Sequence, residues 1–178
     1  MTEYEIIQGC LKKDIKCQQM LYKAYAGKMM TICLRYSKDK MEAEDIFQEG
    51  FIRIFQYIHQ FKFEGSFEGW LRRIIVNTAL KNVSKKRISF AEVNDLDDHS
   101  GGLPPYAYSN LGAEDILKLI HQLPEGYRIV FNLHIIEGFT HEEIAKILKI
   151  QPATSRSQLV KARKMLQNQI NELQKIAV

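Results

Sequence analysis

Cysteine is scarce and unpaired in this sequence: Cys10, Cys17 and Cys33 are all it has, and no CxxC pair is among them. An odd number without that spacing supplies neither a disulfide framework nor a zinc site, so the three read as buried helix thiols. No apolar run approaches the ~18 residues of a membrane span, and the N-terminus lacks the apolar stretch of a signal peptide. A chain without membrane insertion, working in the cytoplasm, is expected. Strand-like alternation is missing as well. No Gly-rich phosphate loop, nucleophile elbow or cluster of His and carboxylates at ligand spacing occurs. His141-Glu142 fails as a zinc-protease motif because Ala145 stands where the second His is needed. No catalytic residue, metal or cofactor is therefore expected, and an enzyme is disfavoured.

What remains is helix, distributed unevenly in charge. Residues 1–87 carry a net +6, residues 88–112 carry −4 with no Lys or Arg at all, and residues 113–178 carry +2. Thirteen of the 25 residues in 88–112 are Gly, Pro, Ser, Asn or Asp, including Gly101-Gly102 and Pro104-Pro105. This composition predicts a flexible acidic linker. The fold class expected is all-α: two small helical domains, 1–87 and 113–178, joined by that linker.

In the first domain, apolar residues recur at three and four positions from about Glu3 to Ser37. A second helix is expected near 41–60, with Ile46, Phe47, Phe51, Ile54, Phe55 and Ile58 on its buried face. Ser66 suits the cap of a third, from Phe67 to about Lys86. In the second domain Pro124 suits the first turn of a helix that stops at Gly138. Thr140-His141-Glu142-Glu143 then has the form of a capping box. It opens a short helix ending near Leu148, and Pro152 starts a long last helix. A short capped helix, a tight turn and a longer helix describe a helix-turn-helix, which either reads DNA or is a plain helical hairpin.

The last helix favours DNA. Leu159, Ala162, Leu166, Ile170 and Leu173 form an apolar stripe. Thr154, Ser157, Lys161 and Lys164 fall opposite, with Arg156 and Arg163 beside them. Cations hold phosphates, while Arg, Gln, Ser and Thr pair with base edges. On the third helix Trp70, Arg73, Asn77, Lys81 and Ser84 form a separate stripe from Leu71, Ile74, Ile75 and Thr78, which are expected to face the core. The aromatic loop 61–67 precedes it and Lys85, Lys86 and Arg87 follow. Rings beside cations suit unpaired bases. Phe61 and Phe67 are expected in the core, and Trp70 is open to either role. The second helix bears Glu44, Asp45, Gln48, Glu49 and Gln56, a face poor at meeting phosphates. It is either solvated surface or a dock for a protein.

These residues resemble a known family. Glu44 to Phe55 is similar to the region-two helix by which sigma factors bind the beta-prime clamp helices of RNA polymerase. Phe67 to Arg87, with Trp70, Arg73 and Asn77, resembles the region that opens the −10 element. Leu123-Pro124, Arg128 and the Glu143-Ile144-Ala145…Thr154…Ala162-Arg163…Leu166 series resemble region four, which reads the −35 element. The lack of a separate region-three domain resembles the extracytoplasmic-function (ECF) sigma factors, group 4 of the sigma-70 family. Gln151-Pro152-Ala153 and Gln158 depart from commoner family residues, which bears on base preference at −35.

The resemblance implies a transcription initiation factor whose partners are core RNA polymerase, promoter DNA and an anti-sigma factor. It assigns polymerase binding to Asp45, Gln48, Glu49 and Ile52. It assigns −10 strand capture to Lys62, Ser66, Trp70, Arg73, Asn77, Lys81, Lys85, Lys86 and Arg87. The −35 duplex falls to Arg128, Thr154, Arg156, Ser157, Gln158, Val160, Lys161, Arg163 and Lys164. The acidic linker would thread the polymerase's nucleic-acid channel. A stand-alone helix-turn-helix regulator, or an anti-sigma or adaptor protein, would ignore polymerase or lack a DNA face respectively.

Overall fold

The computed structural model describes the backbone of residues 1–91 and 112–176, with side chains placed for 1–84, 112 and 115–173. Most of the acidic linker, and the side chains of Lys85, Lys86 and Arg87, lie outside the described residues. All regular structure among the described residues is helical. The helices gather into an N-terminal and a C-terminal unit, dividing between Glu92 and Val93.

The N-terminal unit holds α1 (Glu3–Leu11), α2 (Ile15–Tyr36), α3 (Lys40–Tyr57, continued by a 3-10 turn at Ile58–Gln60) and α4 (Phe67–Ala91). The periodicity from Glu3 to Ser37 reads as one stretch, yet the chain breaks it into α1 and α2. Lys13 takes a left-handed φ of 60°, and its amide and that of Asp14 return to the Cys10 and Gly9 carbonyls. That is a Schellman closure. Asp14 then caps the next helix, its Oδ1 accepting from the Lys16 and Cys17 amides at 2.8 and 3.1 Å. One residue thus ends one helix and begins another, leaving the apolar spacing nearly in phase across the break. Gly9 is required at the join, since a Cβ there would stand 2.1 Å from Cys17 Sγ.

The other starts are capped by side chains, at Ser66 as the sequence leads one to expect and at Asp39 without such an expectation. Asp39 Oδ1 accepts from the Glu42 amide at 2.8 Å, and Ser66 Oγ from the Gly69 amide at 3.3 Å. The buried stripes of α2, α3 and α4 then meet in one core around Leu21, Met29, Ile32, Ile46, Ile54, Leu71 and Ile75. Gly50 lets α3 and α4 approach closely, since a Cβ would meet Ile75 Cδ1 at 2.4 Å. Helix α4 continues to Ala91, past the Lys86 end that composition suggests.

The C-terminal unit holds α5 (Ala113–His121), α6 (Glu125–Phe131, widening into a π turn at Asn132–Ile136), α7 (His141–Leu148) and α8 (Pro152–Ile176). Pro124 sits just outside α6 as its cap and not inside its first turn. The Thr140 box forms as spelled: Glu143 N–H donates to Thr140 Oγ1 at 3.2 Å, and Thr140 N–H to Glu143 Oε2 at 2.8 Å. Lys149, left-handed at φ 55°, closes the turn into α8. Ile129, Leu133, Ile144, Leu159 and Ala162 form the core that sets α8 against α6 and α7.

Candidate nucleic-acid and partner interfaces

On α3 the acid and amide face is exposed at Glu44, Asp45, Gln48 and Gln56. Ile52 stands among them at 58% exposure, a large apolar side chain held out in solvent. The helix can hold it out because Ile46, Phe47, Phe51 and Ile54 already anchor the opposite face. Glu49 differs from its neighbours. It is half-buried, and its carboxylate pairs with Arg53 one turn on at 2.6 Å. Its charge is therefore already met, and the face offers free carboxylate mainly at Asp45. The whole arrangement suits a protein surface that combines cations with an apolar contact.

The second face lies along α4 and the loop before it. Arg73, Asn77, Lys81 and Ser84 are exposed on one side of α4, as are Lys62 and Ser66 in the loop. Ser66 spends its hydroxyl oxygen on the helix cap. Trp70 is half-buried: its ring stacks on Phe67, with centroids 5.7 Å apart and planes within 14°, and tilts against Phe61 at 5.7 Å. Phe61 and Phe67 are themselves buried. They hold the indole in place, so Trp70 belongs partly to the core and partly to the stripe.

One aromatic of the 61–67 loop carries no individual assignment from sequence. Phe63 is 44% exposed and has a left-handed φ of 59°, a conformation that non-glycine residues seldom adopt. Its ring packs on Phe61 at 5.0 Å and on the exposed Tyr4 of α1 at 5.2 Å. Nothing local in the sequence signals Tyr4, because it reaches this loop only through the packing of α1.

The third face is on α8. Thr154, Arg156, Ser157, Lys161, Arg163 and Lys164 are exposed, and Val160 projects at 64% exposure. A methyl-bearing side chain among cations suits a groove that displays thymine methyls. Arg156 meets Glu142 at 3.2 Å, a solvent-exposed pair that is screened by water and easily exchanged for a phosphate. Ser157 Oγ donates to the Thr154 carbonyl at 2.9 Å, and Lys161 lies 6.0 Å from the centre of the Tyr127 ring. Gln158 is half-buried and turned toward α6, where a Cβ on Gly126 would meet its Nε2 at 3.3 Å. At the start of α7 the amide and hydroxyl of Thr140 hold the Glu143 carboxyl below its usual range. That keeps the cap charged.

Arg128 departs from the DNA-reading set. It is buried at 5% exposure, and Nη1 donates to the His121 carbonyl at 3.0 Å. There it closes the C-terminus of α5, where free carbonyls favour a cation. A guanidinium directed inward cannot also meet the DNA backbone, so Arg128 is scaffold. A basic residue in a helix gives no local sign of which way it points. Only its meeting with the end of α5 does.

No group of His, Cys, Asp and Glu among the described residues is arranged to hold a metal ion. No helix among them is long and apolar enough to cross a membrane.

Comparison with known proteins matches two segments of the chain in order. Residues 21–88 match the family model described as Sigma-70 region 2, and residues 113–166 match that described as Sigma-70, region 4. The ECF RNA polymerase sigma-E factor of Haemophilus influenzae is 28% identical, covering 97% of each chain. That of Escherichia coli K12 is 27% identical over 97% of this chain and 96% of its own. The ECF RNA polymerase sigma factor SigE of Mycolicibacterium smegmatis is 32% identical over 83% of this chain and 59% of its own length. Among solved structures, the Bartonella quintana sigma factor RpoE, determined with the anti-sigma factor NepR, shares the fold. Its TM-score is 0.56 at 21% identity, over 92% of this chain and all of that one.

Proposed function

This chain belongs to the sigma-70 family, in its extracytoplasmic-function group, and from that premise we propose how its surfaces divide the work. As a member it is a transcription initiation factor that binds core RNA polymerase and directs it to specific promoters. The division of labour is our reading. Asp45, Gln48 and Ile52 of α3 dock on the polymerase clamp, with Glu49 shaping that face through its pair with Arg53. Lys62, Trp70, Arg73, Asn77 and Lys81 capture unpaired bases and the backbone of the opened −10 strand. Thr154, Arg156, Ser157, Val160, Lys161, Arg163 and Lys164 of α8 read duplex DNA at −35.

The observation that carries this reading is one of sign. The exposed face of α3 is acidic with an apolar centre, whereas the stripe on α4 and the outer face of α8 are cationic. Phosphate favours the last two and is repelled by the first. No bond chemistry is involved. The factor contributes binding energy that offsets unstacking, roughly a few kcal/mol per extruded base.

An anti-sigma protein belongs among the partners on family grounds, and so does a cytoplasmic site of action, where polymerase works. A stand-alone regulator is not favoured, because it has no use for a sigma region 2. Co-elution with core polymerase on a sizing column tests the reading: the chain is expected in the polymerase peak. Elution apart from core at micromolar concentrations would overturn it.

A further inference from the structure

The C-terminal unit contains a part-buried polar joint that the assignments above leave without a role. His141, the first residue of α7, places Nδ1 2.9 Å from Oγ of Ser155, a fully buried hydroxyl in the first turn of α8. The His141 ring stacks on that of His134, with centroids 4.3 Å apart and planes within 14°. His134 Nδ1 meets the Phe139 carbonyl at 2.8 Å. A carbonyl only accepts, so this nitrogen carries a proton. The π turn, the start of α7 and the start of α8 are thus tied at one point. The apolar core packs α8 against α6 and α7, and this joint adds a directional constraint at the start of α8. A part-buried hydrogen bond ties orientation to packing.

Resting on the assignment of α8 to duplex DNA, we propose that His134, His141 and Ser155 form a joint that sets the pose of α8 and responds to protonation of His141. Duplex reading then weakens in acid as His141 gains a proton. All three are positioning residues, and none touches DNA.

The charges around His141 give the direction. Burial disfavours its cation most, followed by His134 from the π turn and by Arg156 from α8. Arg163 of α8 adds a smaller push the same way, and only Glu142, its neighbour on α7, opposes them. Glu142 is itself paired with Arg156. The N-terminus of α7 adds partial positive charge. His141 is therefore held below its ordinary value of 6.5 and is neutral near pH 7. In the neutral tautomer with its proton on Nε2, Nδ1 accepts the Ser155 hydroxyl proton. Protonated, Nδ1 turns donor, so the buried hydroxyl must reverse, and a cation is set beside His134, Arg156 and Arg163. A group depressed in the folded state supports the joint fully above about pH 6.5 and fails it as pH falls through the folded value.

The test uses holoenzyme assembled from the full chain and core polymerase, binding a duplex promoter fragment between about pH 7.5 and about pH 5.5. His141→Asn keeps an acceptor near the Nδ1 position and cannot titrate. Taking the ratio of wild type to this variant at each pH cancels the response of polymerase itself. Wild type is expected to lose about three- to tenfold more affinity than His141→Asn across that range. Ser155→Ala should bind near pH 7.5 as weakly as wild type does in acid. Lys161→Ala, which contacts phosphate by the proposed function, should weaken binding equally at every pH.

Identical pH profiles for wild type and His141→Asn, with Lys161→Ala still defective, would overturn the joint and leave the α8 assignment standing. No effect of Lys161→Ala would remove the α8 assignment instead. Should His141→Asn lose helix by circular dichroism, proton NMR titration of His141 in the wild-type chain decides. A midpoint below 6.5 supports the joint, and one at or above 6.5 overturns it.

Discussion

Replacing Arg128 by Met separates scaffold from DNA contact at a position where sequence and structure point opposite ways. Met retains most of the aliphatic stem, so the change removes chiefly the guanidinium and its 3.0 Å bond to the His121 carbonyl. Leaving that carbonyl without the donor costs about 1–3 kcal/mol. Losing a cation at a helix C-terminus in a partly buried site costs up to about 2 kcal/mol. Relief from burying a charge opposes both, so the net expectation is a loss of about 1–3 kcal/mol. In a unit of this size each kcal/mol lowers the transition by about 4–8 °C.

The chain carries its own reporter for locating the effect. Trp70 is the only tryptophan and lies in the N-terminal unit, so its fluorescence follows that unit, whereas far-UV circular dichroism follows both. Arg128→Met should bring forward part of the dichroism transition and leave the fluorescence transition in place. Measured below its transition, in holoenzyme on duplex promoter, the variant should keep the wild-type dependence of affinity on salt. An unshifted dichroism curve together with a salt slope smaller by about one unit would mean that Arg128 holds a phosphate, and the reasoning from its burial would fail.

Asp45→Arg should abolish co-elution with core polymerase while dichroism stays unchanged, since the side chain is exposed; undiminished binding would remove α3 as the docking face. Lys161→Ala should lower the salt slope of duplex binding by about one unit, and a pre-opened −10 bubble should not restore the loss. Asn77→Ala should bind duplex promoter nearly normally but open it poorly, with strand capture weakened by roughly 1–3 kcal/mol and the defect visible by permanganate footprinting. Failure of both variants at one step would refute the division between α4 and α8. Burial pushes the Cys33 thiol up to about 12, and burial with help from Cys17 and Asp14 pushes Cys10 up to about 11. At pH 8 the folded chain should therefore react with a thiol reagent at Cys10 about 100-fold more slowly than the unfolded chain, and labelling at the unfolded rate would show these sites to be open.

The sequence alone determined whatever is written within one or two helical turns. Thr140 with Glu143 specifies the start of α7, Ser66 that of α4, and Gly138 the end of the preceding segment, because a cap or a stop is made by residues three or four apart. The buried face of α3, and that of α8 at Leu159 and Ala162, were legible for the same reason, since a period of 3.6 is a local property, while Phe55, Leu166, Ile170 and Leu173 end up only half-buried. So was the acidic face of α3, because exposed charges show their sign without needing a partner. Asp14 was a local signal as well, but it was masked by apolar spacing that stays nearly in phase across the break.

Tertiary structure decided the rest, wherever the partner lies far along the chain or the side chain has two sides to choose between. Arg128 turns inward because α5 offers its C-terminal carbonyls there. Trp70 is half core because Phe61 and Phe67 fold beneath it, and Phe63 is completed by Tyr4 from another helix. His141 meets Ser155 across 14 residues only once α7 and α8 have packed. Helical periodicity says which face of a helix is buried, but not which side chains meet there. Those meetings determine which cations remain available to DNA and which polar groups hold the reading helix in place.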